Sequence, residues 1–257
     1  AALQAVFTPV VAPMHGLLAA RPQPHDDVQK EAILTLTDRL GVLFRHVREP
    51  SAIVEVWGGA WPLLQAALGL YGEEPHSAER LCKVIRNALR GARKAMAPQV
   101  GPLLTALPAS FQARHQSCYL YAASEIVKVF GGDPQYDDAL GALLNSMLQE
   151  ACSLLGTLDA WNEDPELGDD TFLLVGRTLS YAPRLIMRPA ALSALLDAAL
   201  AGVHVQHMEA CGSVLTFLTQ LMEPLATSVT SAVGRKLSPQ AVEAAGQVAE
   251  AVGARGA

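Results

Sequence analysis

The residues with the clearest capacity for chemistry form a basic row between positions 79 and 96, ERLCKVIRNALRGARKAM. Six of the 19 Lys and Arg residues of the chain lie there beside a single acid, Glu79. If the row is one helix, all six fall within an arc of roughly 140°. They are Arg80, Lys83, Arg86, Arg90, Arg93 and Lys94. The spacing therefore predicts a basic ridge about 20 Å long on a helix whose other face is apolar.

The charge of this row contrasts with that of the rest of the chain. The row carries +5 and the whole chain −6, so the remaining residues carry −11. Like charges three or four residues apart repel by a few tenths of a kcal/mol per pair. We therefore interpret the row as an anion-binding surface, with a solvated basic face as the alternative. Arginine grips phosphate and carboxylate through a planar fork. Because no aromatic residue interleaves with the row for base stacking, an acidic or phosphorylated peptide is expected in preference to nucleic acid.

Two further groups of polar residues have candidate roles. His204, His207 and Cys211 lie near one helix face and offer zinc-type ligands, but no fourth ligand accompanies them, so we predict no metal site. Six acids without a base occupy the stretch DAWNEDPELGDD, residues 159–170. This stretch is interpreted as a solvated loop that leads into an acidic first helical turn, and a contact for a basic partner is the alternative.

Sequence signatures of catalysis and of nucleotide binding are absent, including GxGxxG, GxxxxGK[ST], GxSxG and HExxH. These motifs place phosphate cradles, nucleophiles or metal ligands at fixed spacings. The sequence therefore predicts a protein that is not an enzyme and that uses no cofactor.

The composition indicates which elements must position the basic row. The 257 residues include 42 Ala and 38 Leu, whereas aromatic residues make up only 5%. Ala and Leu favour helices, and the residues that strands prefer are scarce, so an all-α fold is expected. The four cysteines lie dozens of residues apart, which is typical of a reduced intracellular protein without a disulfide framework. Residues 1–20 lack the basic flank of a signal peptide and contain two prolines, so no membrane segment is predicted.

Helical patterns recur along the chain in two interleaved sets after two predicted helices at 1–20 and 26–47. One set covers 76–95, 115–131, 168–182 and 205–222, and the other covers 53–71, 98–113, 136–158 and 188–203. Starts within a set are about 40 to 50 residues apart, close to the period of HEAT or armadillo repeats. We predict an α-solenoid of HEAT repeats, in which antiparallel A/B helix pairs stack into a superhelix. Residues 1–226 would form about five pairs, and residues 227–257 an Ala/Gly-rich tail, partly helical or frayed.

Four stretches in series carry a resemblance to a known family. They are SAERLCKVIRNALRGARK, HQSCYLYAASEIVKVFG, DPELGDDTFLLVGRTLSYAP and HMEACGSVLTFLTQLM. From about Val10 to Met222 the chain resembles the importin-β superfamily of nuclear transport receptors, within it the transportin-SR (transportin-3) branch. Because the chain begins without Met and the N-terminal repeats of that family are missing, it is expected to be a central to C-terminal segment.

The resemblance implies a function for the basic row. In that branch an arginine-rich B helix binds phosphorylated arginine-serine domains of splicing factors. The matching positions are Arg80, Lys83, Arg86, Arg90 and Lys94, with Arg93 adding to the ridge. Lys83 stands where the family tends to have arginine, so a bidentate contact is not expected at that position.

The resemblance also implies partners. Ran-GTP, which releases cargo, and nucleoporins would bind the full-length receptor, which would shuttle between cytoplasm and nucleus as a monomer without membrane attachment. The alternative is a helical-repeat adaptor or scaffold whose basic ridge binds RNA or an acidic protein partner.

Overall fold

Helices are the only regular elements in the part of the chain that the computed structural model describes, residues 2–187, 189–231 and 246–247. The predicted fold class, an all-α helical-repeat solenoid, is confirmed. The chain divides into two compact units, Ala1–Val129 and Phe130–Ala257.

The first unit contains six α-helices and one 3-10 helix. They are α1 (Ala2–Ala19), α2 (Asp27–His46), α3 (Pro50–Tyr71), α4 (Pro75–Ala92), the 3-10 helix Arg93–Gln99, α5 (Val100–Arg114) and α6 (Ser117–Phe130), whose last residue falls in the second unit. Asp26 caps α2 by accepting a hydrogen bond from the amide of Gln29 at 3.0 Å, and α3 and α4 each begin with proline, whose fixed φ suits the first helical position.

Within residues 130–187 and 189–231, the second unit contains five further α-helices and two short 3-10 helices. They are the 3-10 helix Pro134–Tyr136, α7 (Asp137–Leu154), α8 (Leu158–Glu163), α9 (Pro165–Tyr181), the 3-10 helix Pro183–Leu185, α10 (Pro189–Gly202) and α11 (Met208–Ser231). Thr157 and Asp164 cap the starts of α8 and α9 with side-chain oxygens.

Aromatic side chains link the helices inside each unit. In the first unit the rings of Phe7, Phe44, Trp57 and Trp61 follow one another with centroids 5.5 to 6.0 Å apart, which joins α1, α2 and α3. In the second unit Trp161, Phe172 and Phe217 do the same for α8, α9 and α11, at 5.6 and 5.2 Å. Such pairs add about 0.5–1.5 kcal/mol to the stabilisation from buried area, so the few aromatic residues of the chain are concentrated in its cores.

Repeat spacing agrees with the sequence pattern. The helices α2, α4, α6, α9 and α11 start at residues 27, 75, 117, 165 and 208, which places successive starts 42 to 48 residues apart. This period is close to that of HEAT repeats, about 40 to 47 residues. The predicted division into a solenoid of residues 1–226 and a tail of 227–257 stays a prediction, since most of the tail lies outside the described residues.

Three local expectations were wrong. The acidic stretch 159–170 was predicted to begin as a loop, but α8 forms there because Trp161 is fully buried and its indole Nε1 donates to the carbonyl of Leu155 at 3.1 Å. The segment predicted to end at residue 222 instead continues through Pro224, since α11 extends to Ser231. The third, the end of the basic helix, is described with the site.

By length and composition alone, α3 could cross a membrane. However, ten of its 22 residues, among them Trp57, Leu64 and Leu68, are buried within the first unit. Burial of this kind is typical of a core helix, so the apolar character of α3 is weak evidence for a membrane span.

Candidate anion-binding site

Helix α4 presents the basic row on one face because its other face is packed. Leu81, Ile85 and Leu89 are fully buried, and the amide of Asn87 donates to the carbonyl of Gly41 on α2 at 3.0 Å. A Cβ on Gly91 would lie 2.6 Å from Ile53 Cδ1 and 2.8 Å from the carbonyl oxygen of Phe44. Close contacts with α2 and α3 therefore fix the rotation of α4 about its axis.

The predicted single ridge is interrupted near its C-terminal end. Helix α4 ends at Ala92, where Arg93 adopts φ 50°, and a 3-10 helix follows. A positive φ is costly for a residue with a Cβ and stops the α-helix. Arg93 and Lys94 consequently do not continue the α-helical row of Arg80, Lys83, Arg86 and Arg90, and the expectation of one helix from Glu79 to Met96 was wrong.

Arg80, at the start of the row, is engaged by two carboxylates of α2. Its Nε donates to Asp38 at 3.0 Å, and its Nη1 and Nη2 donate to Glu31 at 2.9 and 3.1 Å. The hydrogen bonds from Arg80 hold the pKa of Glu31 below its ordinary 4.5. The Arg80 side chain is only 14% exposed, so this residue is committed to joining α4 to α2.

Arg90, in the last turn of α4, is held by α6. Its Nη2 donates to Glu125 Oε1 at 2.5 Å and to the hydroxyl of Tyr121 at 2.9 Å. The Glu125 side chain is 1% exposed, whereas that of Arg90 is 46% exposed. Hydrogen bonding to Glu125 raises the pKa of Arg90. A buried carboxylate needs a counter-charge, and Arg90 supplies it.

Arg86 has a different partner. Its guanidinium carbon lies 4.1 Å from the centre of the Tyr121 ring, while that of Arg90 lies 5.7 Å away. Sequence reasoning found no aromatic residue among the cations because Tyr121 belongs to another helix. The one available signal was that Tyr121 and Glu125, four residues apart, share a face of α6.

Three cations of the predicted site remain accessible. Lys83, Arg93 and Lys94 are exposed, and none of their side chains forms a hydrogen bond or ion pair with another residue in the described part of the chain. The six predicted residues thus form three groups: two arginines held by carboxylates, one stacked on an aromatic ring and three exposed to solvent.

The exposed cations of this arrangement suit an anionic ligand. Exposed ammonium and guanidinium groups attract phosphate or carboxylate. At Arg80 and Arg90, an anionic ligand would have to compete with the carboxylates that already pair with these arginines. The charge without a carboxylate partner in the described part of the chain is therefore smaller than the row of six suggests, and Lys83, Arg86, Arg93 and Lys94 carry it.

The other predicted groups have structural partners. No cluster of three or more His, Cys, Asp or Glu suited to a metal ion occurs among the described residues. His207 Nδ1 accepts from the amide of Ala210 at 3.3 Å, and the Cys211 thiol donates to the carbonyl of Val203 at 3.7 Å. In the acidic stretch, Asp164 accepts from the amide of Leu167 at 3.0 Å. All four cysteines are free thiols.

Comparisons with known proteins place the basic helix in a matched region. Residues 51–155 match the family model described as the fourth TPR domain of transportin-3 and importin-13. The protein Transportin MOS14 of Arabidopsis thaliana is 31% identical over 201 residues, covering 77% of this chain and 21% of that protein. An uncharacterized protein of Schizosaccharomyces pombe is 22% identical over 200 residues, covering 75% of this chain and 21% of that protein. The chain thus spans about a fifth of the length of these relatives.

Proposed function

Because the chain belongs to the importin-β/transportin family, we propose that it is a cargo-binding segment of a nuclear import receptor. The family is one of transport receptors and not a class of enzymes. The basic surface on α4 and the 3-10 helix after it would bind phosphorylated arginine-serine-rich protein cargo. In the full-length receptor, Ran-GTP would release this cargo and nucleoporins would be contacted during shuttling between cytoplasm and nucleus.

One observation carries the proposal. Arg86 and three exposed cations, Lys83, Arg93 and Lys94, lie close together in sequence and have no carboxylate partner among the described residues. In a chain of net charge −6, such uncompensated charge is best explained by a ligand that brings negative charge. All six residues belong to the proposed site in two roles: these four contact cargo, while Arg80 and Arg90 hold α4 against its neighbours.

Repeated phosphates suit this set better than a single one. Lys83 and Arg86 are three residues apart on α4, a spacing of about 5–6 Å on a helix surface. Arg93 and Lys94 lie beyond the end of α4, in the 3-10 helix that follows. Hydrogen bonds to charged groups contribute about 1.5–3 kcal/mol each before ordering costs. Three or four such contacts give useful affinity for a flexible phosphorylated segment.

The proposal is tested by titrating a labelled arginine-serine peptide, with and without phosphate, against the chain. We expect the phosphorylated peptide to bind more tightly to the wild type. The double variant Lys83→Gln/Arg86→Gln should lose at least tenfold in affinity for it, because two charged contacts disappear.

A charge-matched control separates specific contacts from net charge. Arg21→Gln/Arg39→Gln removes two exposed arginines outside α4 and should change the affinity less than threefold. Equal losses in both double variants, or equal affinity for both peptides, would refute the proposed site.

One observation favours the alternative of RNA binding: the aromatic ring of Tyr121 lies beside the cations of α4. Single-stranded RNA binds through such pairs of stacking and charge. Its ring is already covered by Arg86, so protein cargo is the better-supported ligand. If unstructured RNA displaces the phosphopeptide at equal charge concentration, the surface is a general polyanion site.

A further inference from the structure

Tyr121 and Arg86 form a pair whose geometry leaves the arginine ready to bind an anion. A guanidinium stacked on a ring uses its flat face for the contact. Its N–H donors point outward in the plane of the group and stay available for a fork-like contact. The Arg86 side chain makes no hydrogen bond or ion pair with other described residues, in agreement with a donor set that is still available.

The neighbouring arginines, Arg80 and Arg90, are held in place by hydrogen bonds. Arg80 spends its Nε, Nη1 and Nη2 donors on two carboxylates of α2, and Arg90 directs Nη2 at Glu125 and Tyr121. Stacking orders Arg86 without neutralising its charge, whereas carboxylates order Arg80 and Arg90 at the expense of donors. Less conformational entropy is then lost when Arg86 binds a ligand.

We propose that Tyr121 is a positioning residue of the cargo site, whose ring holds the guanidinium of Arg86 for bidentate contact with a phosphate group. This inference rests on the proposed function and adds a residue of α6 to a site otherwise built from α4 and the segment that follows it. Two parts of the Tyr121 side chain then have different partners: the ring stacks on the guanidinium of Arg86, and the hydroxyl accepts a hydrogen bond from Arg90.

The test uses the conservative and the disruptive change at one position. Tyr121→Phe keeps the ring and removes the hydroxyl, and the affinity for a phosphorylated arginine-serine peptide should stay within twofold of wild type. Tyr121→Leu removes the ring, and the affinity should fall three- to tenfold, the range of a partly exposed cation–π contact. Thermal unfolding of each variant checks that the chain remains folded at the temperature of the titration.

A double-mutant cycle distinguishes positioning from a general structural effect. If Tyr121 acts through Arg86, Tyr121→Leu should have no further effect on affinity in an Arg86→Ala background. An equal loss in both backgrounds, or a loss for Tyr121→Phe as large as for Tyr121→Leu, would overturn the inference.

The same titrations distinguish failure of the proposed function from failure of the role assigned to Tyr121. In that case the wild type would bind the phosphorylated and unphosphorylated peptides equally, whatever residue stands at position 121. If the wild type prefers the phosphorylated peptide and Arg86→Ala weakens it, but Tyr121→Leu does not, the function stands and the role of Tyr121 is refuted.

Discussion

Helices α4 and α9, one in each unit, share a packing scheme and differ in the charge of their polar faces. Both begin with proline after an acidic residue, and both place a glycine against a bulky neighbour, Gly91 in α4 and Gly168 in α9. Helix α4 carries one acid and four Lys or Arg residues, whereas α9 carries three acids and one arginine. The packing of a repeat helix and the charge of its polar face can therefore vary independently.

The partners of the two polar faces also differ. Arg80 and Arg90 of α4 pair with carboxylates on α2 and α6. In the second unit, Asp169 of α9 accepts a hydrogen bond from the hydroxyl of Ser213 on α11, so a neutral partner satisfies the acid. Charged side chains of the two helices thus bind different kinds of partner on neighbouring helices, carboxylates for Arg80 and Arg90 and a hydroxyl group for Asp169.

The shared packing scheme predicts the largest effects. A Cβ on Gly168 would lie 2.1 Å from Trp161 Cζ3, and one on Gly91 would lie 2.8 Å from a backbone carbonyl oxygen. Gly91→Ala and Gly168→Ala should each lower the free energy of unfolding by roughly 2–3 kcal/mol through overpacking. Urea unfolding followed by circular dichroism measures both.

Gly141 in α7 provides the control for those substitutions, because a Cβ there would meet nothing within 4 Å. Gly141→Ala should raise the free energy of unfolding by up to about 1 kcal/mol, since alanine is the better helix former. If Gly91→Ala or Gly168→Ala is also stabilising, the close approach of helices is not what selects glycine in α4 and α9.

Loss of the ion pair between Arg90 of α4 and Glu125 of α6 should have an intermediate effect on the free energy of unfolding. Arg90→Ala leaves a buried carboxylate without its counter-charge and should cost roughly 1–2 kcal/mol of stability. The double variant Arg90→Met/Glu125→Leu removes both charges and should recover most of this loss, because an apolar pair can replace a buried ion pair. No recovery in the double variant would mean that Arg90 stabilises α4 through something other than Glu125.

The smallest effect concerns acid sensitivity, which both units should show. Hydrogen bonds from Arg80 lower the pKa of Glu31 below 4.5, and those from Arg184 lower the pKa of Asp137 below 3.8. A carboxylate with a depressed pKa in the folded state stabilises the fold above its unfolded pKa, and this contribution disappears as pH falls through the folded value. The difference in unfolding free energy between wild type and Arg80→Met should accordingly shrink below about pH 4.5.

Surface exposure limits the size of that pH effect. The Glu31 side chain is 61% exposed, so we expect less than about 1 kcal/mol at neutral pH. Unfolding at pH 7 and at several values below 4.5, with Arg184→Met as the counterpart in the second unit, measures it. A difference that grows as pH falls would contradict the assignment of Arg80 as the partner of Glu31.

The sequence predicted most of the fold because its signals are local. Apolar residues at helical spacing placed α2, α3, α4 and α9 within a few residues of their observed bounds. Two of its failures lie at a buried tryptophan and at a residue with positive φ. The burial of Trp161 makes a helix of an acidic segment, and the turn at Arg93 ends a helix that composition alone would continue.

The sequence by itself determined which residues of the candidate site carry charge and that four of them, Arg80, Lys83, Arg86 and Arg90, share one face of a helix. Only the tertiary structure decided which of those charges are accessible. Arg80 meets Glu31 and Asp38 across 49 and 42 residues, and Arg90 meets Glu125 across 35. Helical spacing describes neighbours three or four residues apart, whereas partners so distant are chosen by how α2, α4 and α6 pack together.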